Sequence, residues 1–426
     1  MKEKESKISR RKFMKDFGTT IGAATALASF PWLEAISEEN RKASRGEKTR
    51  IAVVGTGSRG QYLLRLLVLN PKVEIAYLCD DYQPSLDKAL EIAPGSPVTV
   101  DYRVVVDDKN VDGVVIATPL HVHREVAVAA MEAGKKVYCE KSLSLTLPEA
   151  LDIYNTHKRT GSVLFVGQQR LFDPVYLKGI EMIHAGAFGE IQGINTYWYR
   201  NGDWRRKVPS PELERKINWR LYRDYSCGLM TELACHQVQL GTWIWRDIPE
   251  RIYATGATTY WKDGREVEDN VGVVYTYKNG CRMSFDSIIS NRLYGYEEQV
   301  LGNLGALEFE AGKIYWEKTP PMPGFLRMLN DIETDLFTTL NFGGPSWDPE
   351  TAKKNHGEYI MGRKRTYQDG TEFAVDAFVE SAITGEQPPM IAQEGYYATV
   401  LSLLGQQSID EKREIIFPDE YKIEYL

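Results

Sequence analysis

The stretch that most constrains this chain lies between residues 50 and 81. Residues 51–54 read Ile-Ala-Val-Val, a short β-branched run of the kind that forms a buried strand. Gly55-Thr56-Gly57-Ser58-Arg59-Gly60 follows at once, and residues 61–69 carry leucines at helical spacing. A second apolar run over residues 73–79 ends in Asp80 and Asp81. Strand, glycine turn, helix, strand and acid are the parts that a dinucleotide pyrophosphate needs, in the order it needs them. Gly55 permits the tight turn, Gly57 lets the backbone approach the phosphates, and Gly60 lets helix and strand pack closely. Ser58 and Arg59 open the helix, whose free N–H groups face the anion. Asp80 accepts hydrogen bonds from ribose hydroxyls, which favours NAD over NADP. Arg59 could attract a 2′-phosphate, but the acids at 80 and 81 oppose that.

Strand and helix patterns alternate from there to about residue 170, which predicts a doubly wound parallel sheet over residues 50–170. Residues 111–117 form an apolar strand ending in Thr118-Pro119, with His123 shortly after. Residues 136–139 form the next strand, with Glu140-Lys141-Ser142 at its end, and residues 162–166 lead to Gln168. Ligands of such sheets bind beyond the carboxyl ends of the strands. Asp80, Thr118, Pro119, His123, Glu140, Lys141 and Gln168 are therefore expected along one edge.

Residues 171–426 read as a second α/β domain with an open, mostly antiparallel sheet, since strand patterns joined by glycine turns recur up to residue 316. Before them, residues 197–223 are dense in Tyr, Trp and Arg. Trp stacks on the apolar face of a sugar ring and Arg donates to its oxygens. Arg170, Arg200, Trp204, Trp219 and Tyr222 are the candidates for that role. Residues 228–245 read as one helix. At about 100° per residue, Glu232 and His236 share one face of it, beside a core stripe of Leu229, Leu233, Leu240 and Ile244. A carboxylate so placed would orient the imidazole and stabilise its charge. Residues 317–370 lack periodicity and read as an insertion, a lid or a subunit arm, and residues 371–426 as closing helices.

The start of the chain is different in kind. Ser9-Arg10-Arg11-Lys12-Phe13 precedes a weakly apolar stretch, and Ala26-Leu27-Ala28 offers a small-residue cleavage pattern. Residues 1–35 resemble a twin-arginine export signal, with 36–49 as a polar linker, and this predicts a periplasmic protein. The stretch is too short and too dilute for a stable membrane span. Outside the cytoplasm no free NAD pool exists, so a cofactor there must be held tightly and recycled in place. Beyond residue 35 the chain carries 45 Lys and Arg against 55 Asp and Glu, a net −10 that excludes a general attraction to nucleic acid. The five cysteines show no CxxC spacing, and Cys227, Cys235 and His236 match no zinc pattern, so no metal is expected.

Taken together, GTGSRG, Thr118-Pro119-Leu120-His121-Val122-His123, AGKKVYCEKS and the Glu232–His236 pair resemble the glucose–fructose oxidoreductase, inositol 2-dehydrogenase and MocA family. Three residues depart from its pattern: Leu120 stands for the usual Asn, Ser142 for Pro and Glu232 for Asp. The resemblance implies that Lys141 faces both nicotinamide ribose and substrate, with His236 as the proton acceptor. It also implies a homo-oligomer, dimer or tetramer, joined through the open sheet. The expected activity is NAD-dependent oxidation or reduction at a ring hydroxyl of a sugar or polyol. Some exported relatives are redox-neutral NAD-dependent glycosidases, which is the alternative.

Overall fold

The computed structural model describes residues 48–317, 357–362 and 369–424. The leader, nearly all of the linker and most of the 317–370 insertion lie outside the described residues.

β1 (Thr49–Val54), β2 (Val73–Cys79), β3 (Val98–Thr99), β4 (Gly113–Ile116), β5 (Lys136–Cys139) and β6 (Leu164–Val166) form one parallel sheet in the order β3-β2-β1-β4-β5-β6. Strands β1, β4, β5 and β6 are buried on both faces, which is why they read as unbroken apolar runs. The crossover helices are α1 (Ser58–Leu69), α2 (Gln83–Ile92), α3 (Tyr102–Asp107), α4 (Leu120–Glu132) and α5 (Leu147–Thr160). Local signals fix their ends. Thr146 and Glu149 close a reciprocal capping box at the start of α5, and Gly161 ends it in the left-handed conformation.

α1 and α2 cover one face of this sheet, where Leu63, Leu64, Leu67, Leu86 and Ala89 join Ile51 and Val53. α4 and α5 cover the other. That arrangement leaves the β5 and β6 end of the first face without a helix. It is filled by α9 (Thr371–Thr384), whose Ala374, Val375 and Phe378 pack on Tyr138 and Phe165. Lys72 Nζ and Glu380 Oε1, 2.6 Å apart, add an ion pair across the same joint. Sequence order groups residues 371–426 with the second domain. By packing, α9 belongs to the first, because an uncovered parallel sheet face would leave Tyr138 and Phe165 in water.

The second sheet has nine strands in the order β14-β13-β12-β11-β7-β10-β9-β8-β15. They are β7 (Ile191–Asn201), β8 (Arg251–Ala257), β9 (Asn270–Thr276), β10 (Arg282–Ile288), β11 (Ser290–Gly302), β12 (Gly305–Glu308), β13 (Lys313–Trp316), β14 (Glu358–Tyr359) and β15 (Ile415–Ile416). Every pairing is antiparallel except β7 with β10. Ile194, Ile252, Tyr275, Met283, Val300 and Leu307 share one register and form the buried face. α6 (Pro174–His184), α8 (Cys235–Trp245) and α10 (Ile391–Glu411) complete the core against it. α10 also reaches the first sheet, where Gly395 comes so close to β6 that a Cβ would lie 2.3 Å from Val166 Cβ. The short helix α7 (Glu214–Ile217) lies in the segment between β7 and α8.

Candidate active site

The glycine turn is built as its sequence demands. Gly55 has φ +90°, and a Cβ there would lie 2.6 Å from the Ala117 carbonyl carbon. A Cβ on Gly60 would lie 1.9 Å from the Gly55 carbonyl oxygen, so no larger residue fits between α1 and β1. A Cβ on Gly57 meets nothing within 4 Å, which leaves room for a phosphate against the backbone. α1 starts with no side-chain cap and no acid in its first turn, so its leading N–H groups are available to an anion. At the end of β2, Asp80 accepts hydrogen bonds from Thr56 N at 2.7 Å, Thr56 Oγ1 at 3.1 Å and Tyr82 N at 2.9 Å. Burial raises its pKa, and those bonds pull the other way. Gly55, Gly57, Ser58, Arg59, Asp80, Thr118 and Pro119 line a cleft of about 670 Å³. An acid for a ribose, open backbone for a pyrophosphate and an uncapped helix fit a dinucleotide.

A smaller cavity of about 260 Å³ adjoins it, sharing the walls Arg59, Ala117, Thr118, Trp219 and Arg220. Glu140, Lys141, Glu232 and His236 meet there. Lys141 follows β5, and its Nζ donates to the Glu232 carbonyl at 2.9 Å. The next residue, Ser142, joined by a cis peptide bond, donates from Oγ to the Thr231 carbonyl at 3.0 Å. These two bonds lock the end of β5 to the helical segment that carries His236. His236 is buried. Burial first, then the charges of Lys141, Arg170 and Arg59, hold its pKa well below the usual imidazole value. It is neutral at pH 7 and can accept a proton. Its ring lies beside Trp198, with centroids 5.6 Å apart.

Glu232 does not orient His236. Its Oε2 accepts from Arg220 Nε at 2.8 Å and its Oε1 from Ser226 Oγ at 3.2 Å. Burial works against its charge, but Arg220, Lys141 and those hydrogen bonds prevail and hold its pKa low. The uniform helical wheel fails because Met230–Ala234 is a π-helical turn, whose i→i+5 bonds change the rotation between residues 232 and 236. Glu232 instead fixes Arg220 at the cavity wall.

Other expected contacts also fall elsewhere. Arg59, which lines both cavities, donates from Nε to Glu140 Oε1 at 2.7 Å; burial opposes its charge and Glu140 restores it. His123 does not line either cavity: its ring is held between the Thr118 and Ser142 carbonyls, both at 2.9 Å. It braces the two loops that do. Gln168 donates to the Cys235 carbonyl at 3.2 Å, below the site. Among the sugar candidates, Trp219 alone lines either of these two cavities. Arg170 is buried between Glu298 at 3.0 Å and Glu310 at 2.9 Å. Tyr222 donates to Glu214, Trp204 packs against the core with φ 61°, and Arg200 sits exposed on β7. Aromatic and arginine density does not distinguish a wall from its support. The cavity is lined instead by Trp198, Arg220, Gln169 and Asp369, of which the last two carried no sequence signal. Gln169 and Asp369 pair at 3.2 Å. The cysteines are all free, and no group of metal-ligating side chains forms among the described residues.

A parallel nucleotide-binding sheet that carries a lysine at one strand end and meets a neutral histidine from the next domain defines a two-domain dinucleotide-dependent oxidoreductase. Residues 49–168 match the model of the oxidoreductase family's NAD-binding Rossmann fold, and residues 176–308 that of the same family's C-terminal domain. The chain belongs to the Gfo/Idh/MocA family and is an NAD-dependent oxidoreductase. Myo-inositol 2-dehydrogenase of Thermotoga maritima is 23% identical over 86% of this chain and 98% of that one. A glycosyl hydrolase family 109 protein of Stenotrophomonas maltophilia is 33% identical, over only 35% of each chain. A levoglucosan dehydrogenase solved with NADH and levoglucosan superposes with a TM-score of 0.67, at 18% identity over 88% of this chain and all of that one.

Proposed function

We propose that this oxidoreductase acts on a ring hydroxyl of a sugar or polyol, with NAD held in place between turnovers. The observation that carries this is the meeting of Lys141 and a neutral, buried His236 in a cavity that opens from the dinucleotide cleft. NAD, seated by the Gly55–Gly60 turn and Asp80, supplies the redox chemistry. His236 accepts the hydroxyl proton, and Lys141 donates to the same oxygen and stabilises its developing charge. Trp198 and Trp219 give the cavity aromatic walls for a ring, while Arg220, fixed by Glu232, offers donors to its hydroxyls. The names of the inositol and levoglucosan dehydrogenases support a polyhydroxylated substrate.

The leader supports export to the periplasm by the twin-arginine route, which in turn favours a retained cofactor. The outer face of the second sheet, with Tyr197, Tyr199, Tyr253 and Val274, supports a homo-oligomer. A second reading, redox-neutral glycoside cleavage on the same site, is favoured by the match to the glycosyl hydrolase. The test is a panel of free sugars, polyols and aryl glycosides, read by absorbance of bound NADH and by aglycone release. Net NADH formation supports oxidoreduction, and aglycone release without it supports cleavage. Unchanged rates in both His236→Ala and Lys141→Met would refute the site.

A further inference from the structure

Between β7 and α8 the second domain sends residues 203–225 across the dinucleotide cleft. Arg206, Lys207, Arg215, Lys216, Trp219, Arg220 and Tyr225 line the cleft opposite the glycine turn. The segment contains five arginines. Arg205 meets Glu214, Arg215 meets Asp224, Arg220 meets Glu232 and Arg223 meets Glu268. Arg206 has no carboxylate partner among the described residues. Its guanidinium Nη2 instead lies 3.3 Å from Ser58 Oγ, at the first residue of α1.

Two positive ends therefore face each other there: the guanidinium, and a helix N-terminus with neither cap nor acid. Arg206 is exposed at the cleft wall, and partial desolvation with the like charge of Arg220 lowers its pKa. Two positive ends so placed favour an anion between them. The backbone at Arg206 is held in place by Asn218. Arg206 N donates to Asn218 Oδ1 at 2.7 Å and Asn218 Nδ2 donates to the Arg206 carbonyl at 3.0 Å. Asn218 itself is buried at 2% exposure, so the clamp is internal. Farther along, Lys216 Nζ reaches Asp81 Oδ2 at 2.8 Å and the Asp81 carbonyl at 3.0 Å, and Tyr225 meets His121 edge-on at 4.7 Å. These contacts tie the segment to the nucleotide domain on both sides of the cleft mouth.

We propose that residues 203–225 are the closing half of the dinucleotide site, with Arg206 as the counter-charge of the pyrophosphate and the Lys216–Asp81 pair as its latch. This rests on the NAD-binding reading of the cleft and adds the residues that retain the cofactor. Departure of NAD then requires breaking the latch and leaving Arg206 without its anion.

The experiment measures NADH affinity and dissociation rate by fluorescence in wild type, Arg206→Gln, Arg206→Lys and Lys216→Gln. A charge-assisted hydrogen bond lost from a phosphate predicts about a 10- to 100-fold weaker Kd for Arg206→Gln. Arg206→Lys keeps the charge and is expected within about tenfold of wild type, by the same reasoning. Lys216→Gln is expected to raise the dissociation rate. Arg206→Gln binding and releasing NADH within twofold of wild type would overturn the proposal. Wild type failing to bind NADH would overturn the dinucleotide reading instead.

Discussion

Lys141→Met is the substitution whose consequences the structure specifies most fully. The side chain stays unbranched, one atom shorter, and loses its charge and its donors. Two effects follow. The first is on the chemical step, because Lys141 is the ammonium in the cavity beside His236. Losing one donor aimed at developing negative charge costs about 2.7–4 kcal/mol in comparable sites, or roughly 10²–10³ in kcat. The second is on His236. Burial is the largest influence holding its pKa down, and the Lys141 charge is the next. Removing that charge raises the pKa, although burial, Arg170 and Arg59 still keep it below the usual value of 6.5. A base must be neutral to act, so the acid limb of the kcat/KM profile moves to higher pH in the variant. The assay is steady-state turnover against pH with bound NAD, wild type beside variant. A kcat within tenfold of wild type, with an acid limb that stays in place or moves to lower pH, would refute the reasoning.

Three further outcomes follow from the packing. Gly60→Ala sets a methyl 1.9 Å from the Gly55 oxygen, so α1 must move; NADH affinity falls, and stability drops by about 1–3 kcal/mol in denaturant titration. Phe378→Ala empties the space over Tyr138 and Phe165 and costs about 3–5 kcal/mol, read the same way, with unfolding led by the nucleotide domain. Burial and the neighbouring Glu298 raise Glu297 from the ordinary 4.5 to about 8. The folded chain therefore binds this proton where the unfolded chain has lost it, and stability declines as pH rises from about 4.5 through 8. Thermal unfolding of Glu297→Gln is expected to show a shallower decline over that window than wild type.

The nucleotide half was legible because each feature is local. A β-branched run, a glycine turn, leucines at helical spacing and an acid at the next strand end each carry their own mechanism, and β1, α1 and β2 follow within a residue or two. The same is true of β5, whose four residues and trailing Glu140-Lys141 stand where the pattern put them. Features set by tertiary packing were not legible. Nothing in Met230-Thr231-Glu232-Leu233-Ala234 announces a π-turn, so a uniform α-helical wheel sets Glu232 and His236 on one face that the structure does not keep. Arg170 looks like a sugar ligand in sequence, yet Glu298 and Glu310 reach it from β11 and from the turn after β12. α9 is amphipathic in sequence, but only the missing helix over β5 and β6 says which domain it covers. Asp369 enters the cavity because Thr371 holds it at the start of α9, a contact 200 residues from Gln169.

The central claim is that a carbon-bound hydrogen of a polyhydroxylated substrate reaches the nicotinamide while His236 takes the hydroxyl proton. Its most direct test is a single turnover of the NAD-loaded protein with a carbon-deuterated sugar or polyol, followed by denaturation and mass spectrometry of the released nucleotide. One deuterium in the nicotinamide, absent from the His236→Ala protein, is the predicted result. Substrate conversion with an unlabelled nucleotide, or equal labelling in the variant, would contradict the account.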